Sequence, residues 1–183
     1  MAPKEKKSTQ VALGGLASAL CLLLMFMTGV IPFGEYALPA FAGIVIIAVV
    51  VENGCKTAVL VYAAVSVLAV FMVPVKEAAL LFIFFFGYYP ILQTKLCKIK
   101  PKVLQYALKF IIFNIAVIAA YMIVIYVLGI GDILDEFGSF GKYSALILLA
   151  MGNVFFVIYD YTVDNLQYIY IHWFRPKFLR RVG

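Results

Sequence analysis

Six stretches of mostly apolar residues, each about as long as a bilayer is thick, divide this chain almost from end to end. A hydrocarbon core of about 30 Å takes roughly 17 to 25 residues of α-helix. The stretches run over 10–29, 36–51, 57–73, 78–96, 103–128 and 143–168. Nothing alternates with period two, and an open sheet edge has no place in lipid, so strands are disfavoured. The pattern predicts an all-α membrane protein, a six-helix transmembrane bundle forming one domain over residues 1–183. A basic amino-terminal segment (1–9) and an aromatic and basic tail (169–183) flank it.

Composition excludes the main alternatives. Apolar residues make up 66% and charged residues 13%, against about half and a quarter in soluble domains. A globule of 183 residues has too little interior to hide that much apolar surface. A disordered chain, a secreted disulfide scaffold and a free cytosolic enzyme are excluded on the same ground. The net charge of +6 lies between apolar blocks and at the two ends, not along a recognition helix or an aromatic strand. Membrane lipid is therefore the expected partner, and nucleic acid is not. Cys21, Cys55 and Cys97 show no CxxC spacing, so neither a metal site nor a cofactor is expected.

The first stretch has a basic start (Lys4, Lys6, Lys7), but its apolar run is too long for a cleaved signal, and it reads as an uncleaved anchor. Orientation follows from the distribution of Lys and Arg. With the amino terminus inside, thirteen of the 15 basic residues fall on the inner side, and only Lys76 and Lys142 lie outside. An even number of crossings places both termini in the cytosol. Cys55 and Cys97 then lie in cytosolic segments, where thiols stay reduced. The outer loops carry Glu35, Glu77, Asp132, Asp135 and Glu136.

Few residues carry chemistry. His172 is the sole histidine and stands beside Trp173 in the tail, as in an interfacial aromatic belt. There is no GxSxG, HExxH or P-loop spacing, and the chain is not expected to be an enzyme. Asn153, Asp160, Asp164 and Gln167 form one narrow stripe along the last stretch. A carboxylate at membrane depth is costly unless paired, so the stripe should face the interior. Lys109 lies at a similar depth in the fifth stretch, which predicts an ion pair with Asp160 or Asp164, with Asn114 nearby. That pair serves either as a structural clamp or as a proton or cation relay. In the fourth stretch Pro90 predicts a kink, or a broken helix that opens a cavity. In the second, Pro39 predicts tilting or a partly non-helical start. The outer residues Glu35, Tyr36, Lys76 and Glu77 are either solvated loop residues or, with Tyr121 and Asn153, the polar points of an outward-facing binding site. In the first stretch, small residues at helical spacing (Gly14 with Ser18, Gly15 with Ala19) permit close helix approach, within this bundle or to another subunit.

Size, six spans, both ends inside and small residues in the first span together resemble an S component of an energy-coupling factor transporter, the small membrane subunit that captures a vitamin or related micronutrient. In that family an Ala-xxx-Ala pair on the first helix docks the transmembrane coupling subunit. Gly15-Leu16-Ala17-Ser18-Ala19 is similar to it, with Gly15 in place of the first alanine. The resemblance implies a small-molecule substrate bound from outside, with Glu35 and Tyr36 as contacts. It also implies delivery through a coupling subunit driven by two ATPase subunits. Two other classes remain open: a self-sufficient secondary transporter or cation channel using Asp160 and Asp164, and a structural membrane subunit without a ligand.

Overall fold

A computed structural model describes residues 3–31, 34–97, 99–126 and 144–178. Among them every regular element is helical. Helix α1 spans Pro3–Phe26 and ends in a 3₁₀ turn at Met27–Gly29; α2 spans Gly34–Met72, α3 Lys76–Leu81, α4 Tyr89–Leu96, α5 Lys102–Tyr126, α6 Ser144–Ile169 and α7 Arg175–Phe178. Among the described residues, four stretches are long and apolar enough to cross a membrane: Ser8–Gly29, Gly34–Met72, Lys76–Leu96 and Lys102–Ala120. Large apolar side chains stand on their outer faces, among them Leu60 at 70%, Phe71 at 79% and Val103 at 84% exposed. Continuous apolar surface of that kind is unfavourable in water and natural in lipid.

The stretches expected at 36–51 and 57–73 fall within one run, α2, broken by a single residue. Gly54 has φ 82° and ψ 168°, the only non-helical backbone in α2. That region is accessible essentially to glycine alone. About twenty residues precede the break and about eighteen follow it, each close to one bilayer crossing. Pro39 does not disturb the start of α2: the helix begins at Gly34 and stays helical through it. Pro39 lies near enough to the amino end that its missing N–H and its ring leave the later ladder intact.

Two compact units emerge, residues Met1–Lys95 with Val163–Gly183, and Leu96–Thr162. In the first unit, α1 packs Ala17, Cys21 and Met25 against Ala42, Ile46 and Val49 of α2. The Cys21 thiol donates to the Ala42 carbonyl at 3.3 Å, and the Asn53 amide donates to the Gln10 carbonyl at 3.0 Å. Numbers rise along one helix as they fall along the other, so α1 and the first part of α2 run antiparallel. The second part of α2 runs parallel to α1. A Cβ placed at Gly14 would meet Val61 at 3.3 Å, and one at Gly29 would come within 2.5 Å of the Pro74 ring. At the far end of α2, the Lys76 ammonium donates to the Val70 and Val73 carbonyls at 2.9 and 3.0 Å. This satisfies carbonyls that the ending helix leaves without N–H partners.

Between α3 and α4 the helix widens before Pro90. Residues Phe82–Phe86 form a π turn, closed by the Gly87 N–H donating to the Phe82 carbonyl at 2.8 Å. In an α-helix that N–H would serve Ile83. The Tyr62 hydroxyl takes its place, donating to the Ile83 carbonyl at 2.6 Å. Gly87 permits the close approach, because a Cβ there would lie 2.7 Å from the Tyr62 ring. The interruption expected at Pro90 is thus a π turn several residues upstream, with its displaced carbonyl capped by a side chain.

Removing the Tyr62 hydroxyl leaves the Ile83 carbonyl without this donor. Tyr62→Phe should lower stability by about 1–2 kcal/mol, seen as an earlier unfolding midpoint in detergent. Tyr161→Phe, at a ring 73% exposed, should leave the midpoint unchanged.

Candidate intramembrane polar site

The unit Leu96–Thr162 has a polar ladder between α5 and α6. On α5, Lys109, Phe113, Ala116 and Ala120 are buried, at spacings that place them on one helix face. On the facing part of α6, Phe156 and Asp160 are buried one turn apart. The Lys109 ammonium donates to both carboxylate oxygens of Asp160, at 2.7 and 3.0 Å. Only 1% of Lys109 is exposed. The Tyr106 ring centroid lies 5.6 Å from the same ammonium, close enough for a cation–π contribution. One turn along, the Phe113 and Phe156 rings stack at 4.5 Å, and Phe110 meets Phe156 edge-on at 5.1 Å.

The next rung is a reciprocal amide pair. The Asn114 amide donates to the Asn153 side-chain oxygen at 3.0 Å, and the Asn153 amide donates back to Asn114 at 3.1 Å. Each amide also donates to its own helix, Asn114 to the Phe110 carbonyl and Asn153 to the Leu149 carbonyl, both at 2.8 Å. Rising numbers on α5 match falling numbers on α6, so the two helices run antiparallel. Polar rungs enclose an aromatic one. Lysine and aspartate buried singly would each carry a large desolvation cost; together, with a two-oxygen contact, the cost is offset.

The other stripe residues of α6 lie in the unit formed by Met1–Lys95 and Val163–Gly183. There the buried Gln93 amide donates to a carboxylate oxygen of Asp164 at 2.8 Å, and the Gln167 amide reaches the Thr94 hydroxyl at 3.5 Å; Asp164 itself is exposed, unlike the inward-facing position expected for the whole stripe. Both partners advance together, so α4 and this end of α6 run parallel. The expected pairing of Lys109 with a carboxylate of the stripe is present at Asp160. Gln93 carries no sequence signature as the partner of Asp164; only the stripe on α6 hints that something must face it.

The remaining expected residues are placed as follows. Glu35 and Tyr36 are exposed on the first turn of α2. Lys76 caps α2, and Glu77 lies in the first turn of α3. Asn153 pairs with Asn114. The Tyr121 side chain, Pro32, Phe33, Asp132, Asp135, Glu136, Lys142, Arg180 and Arg181 lie outside the described residues. On α1 the two small-residue pairs separate: Gly14 packs on Val61, while Gly15 and Ala19 face outward, with nothing within 4 Å of a Cβ built at Gly15. His172 Nδ1 hydrogen-bonds the Tyr168 carbonyl at 3.0 Å, and the His172 ring stacks on that of Tyr168. An ion pair that the sequence does not signal joins Arg175 and Glu52, with Nε 3.2 Å from a carboxylate oxygen. Beside it, burial first and the Glu52 charge second push the Tyr170 hydroxyl pKa upward, although Arg175 opposes them.

Lys109→Met removes the cation from a buried carboxylate and should destabilise the protein by about 3–5 kcal/mol. The double variant Lys109→Met with Asp160→Leu should recover most of that loss, as measured by thermal unfolding in detergent. A double variant no more stable than the single one would contradict the pairing. Comparison with family models, curated proteins and solved structures finds no match for this chain.

Proposed function

We propose that this chain is the membrane-embedded capture subunit of an ATP-driven uptake system, similar to an energy-coupling factor S component. It binds a small micronutrient from outside and delivers it through a transmembrane coupling subunit served by two ATPases. The chain crosses the bilayer six times, with both termini in the cytosol. Helix directions support that count. Within the first unit α1 and the second part of α2 run one way, and the first part of α2 the other; α4 runs parallel to the end of α6. Within the second unit α5 and α6 oppose each other. The distribution of basic residues, thirteen inside and two outside, supports the orientation.

The observation that carries the reading is the two-sided character of α1. One face, with Gly14, Ala17, Cys21 and Met25, is committed to this chain's own core. The opposite face presents Gly15 and Ala19 beside exposed Leu16, Leu20 and Leu23. Small residues flanked by large ones form a shallow groove that admits a second helix closely. The acids that a self-sufficient cation carrier would use are engaged instead: Asp160 holds Lys109, and Asp164 accepts from Gln93. This favours a clamp over a cation path. Glu35 and Tyr36, exposed at the start of α2, are the candidate substrate contacts.

Ala19→Trp tests the docking face. It should abolish co-purification with an ATPase-bearing complex, and uptake with it, while insertion and the unfolding midpoint stay unchanged. Retained uptake in the variant would contradict the proposal. Uptake by the purified chain in proteoliposomes without ATP would favour the self-sufficient carrier.

A further inference from the structure

At the end of the first unit where α2 breaks and the tail begins, two helices leave an apolar groove. Ile44, Ile47 and Ala48 of α2 form one wall; Leu166, Ile169, Tyr170 and Trp173 form the other, enclosing about 210 Å³. The groove is lined almost wholly by carbon. Toward higher numbers on both helices the walls end in charge. A Glu52 carboxylate oxygen on α2 lies 3.2 Å from Arg175 Nε, and the Lys177 ammonium stands 4.8 Å from the centre of the Trp173 ring. A π turn over Tyr170–Phe174 carries α6 into α7 here, and widens the helix where Trp173 forms part of the wall.

We propose that this groove is a binding site for one anionic phospholipid of the cytosolic leaflet. An acyl chain lies between Ile47 and Trp173, and the phosphate lies against Arg175 and Lys177. Several features favour this occupant over a polypeptide. The groove is lined by apolar side chains, which suits a chain of methylenes and offers no partner to a peptide backbone. Its charged mouth holds two cations two residues apart, with one carboxylate between the helices, leaving a net positive rim. An arginine paired with Glu52 through one nitrogen retains donors on its other nitrogens for a phosphate. Trp173 places an amphipathic ring at the boundary between the apolar groove and the charged rim, the usual position of tryptophan at a membrane interface. Arg180 and Arg181 follow in the sequence and add to the positive charge of the tail. The inference rests on the cytosolic placement of the tail proposed above.

Trp173 is the sole tryptophan of the chain and lines the groove, so its fluorescence reports what surrounds this end of the chain. The full chain is reconstituted in phosphatidylcholine vesicles containing a minor fraction of phosphatidylglycerol. Brominated acyl chains are carried by one lipid or the other at equal mole fraction. Brominated phosphatidylglycerol should quench Trp173 about threefold or more as strongly as brominated phosphatidylcholine. Arg175→Gln with Lys177→Gln should bring the ratio close to one, and Lys177→Gln alone, which leaves the Glu52 contact intact, should lower it in part. Equal quenching by the two lipids in the unaltered chain would overturn the inference while leaving the membrane placement standing. Quenching by neither lipid but by aqueous acrylamide would overturn both. Protection from lipid and acrylamide alike would mean that a second polypeptide covers the groove, and would overturn the lipid site.

Discussion

Polar groups inside a chain this apolar must find one another, and the fold is organised around the places where they do. Lys109 with Asp160, Asn114 with Asn153, and Gln93 with Asp164 each join two helices, and Lys109, Asp160 and Gln93 are buried where they would be costly alone. Backbone groups obey the same constraint. Where the π turn displaces the Ile83 carbonyl, Tyr62 supplies a hydroxyl; where α2 ends, Lys76 covers two carbonyls. Hydroxyls are absorbed locally, since Ser18, Thr57, Thr94 and Thr162 each donate to the carbonyl four residues earlier. That arrangement hides a polar atom against its own helix, where no water is at hand.

Packing specifies the rest. Small residues set the distance between α1 and α2: Cys21 faces Ala42 closely enough for its thiol to reach a backbone carbonyl. Gly29 beside Pro74 and Gly87 beside Tyr62 mark two further close approaches. Leu60, Phe71 and Val103 are among the large apolar side chains that point outward, and their exposure matches a hydrocarbon surround. The polar pairs therefore fix which helices meet and in what register, while dispersion between close-packed small residues holds them together.

Much of this is legible from the residues, for reasons that differ by feature. Apolar stretches of bilayer length announce helices, because no other element can hide its backbone in lipid. A lone lysine and a stripe of carboxylates at similar depth announce a pair, because each is untenable alone. The two-oxygen contact with Asp160 in particular is not legible, because Asp160 and Asp164 are one turn apart on the same stripe. Gln93 gives no signal, since a single amide among apolar residues fits many environments. The sequence suggests a loop between the second and third spans, whereas a single glycine in a glycine-only conformation suffices. The Glu52–Arg175 contact joins residues far apart in sequence through the packing of whole helices, which periodicity does not encode. An outward-facing substrate site remains a reading of Glu35 and Tyr36. Lys76, expected to share it, is engaged with helix carbonyls.

Sidedness is the claim on which capture from outside and delivery from within both rest. With Cys21, Cys55 and Cys97 replaced by serine, Lys76→Cys and Lys177→Cys variants can be labelled in intact cells with a membrane-impermeant maleimide. The account predicts that Lys76→Cys reacts at once, and that Lys177→Cys reacts only after the membrane is permeabilised. Reaction of Lys177→Cys in sealed cells would place the tail outside and contradict the orientation proposed here.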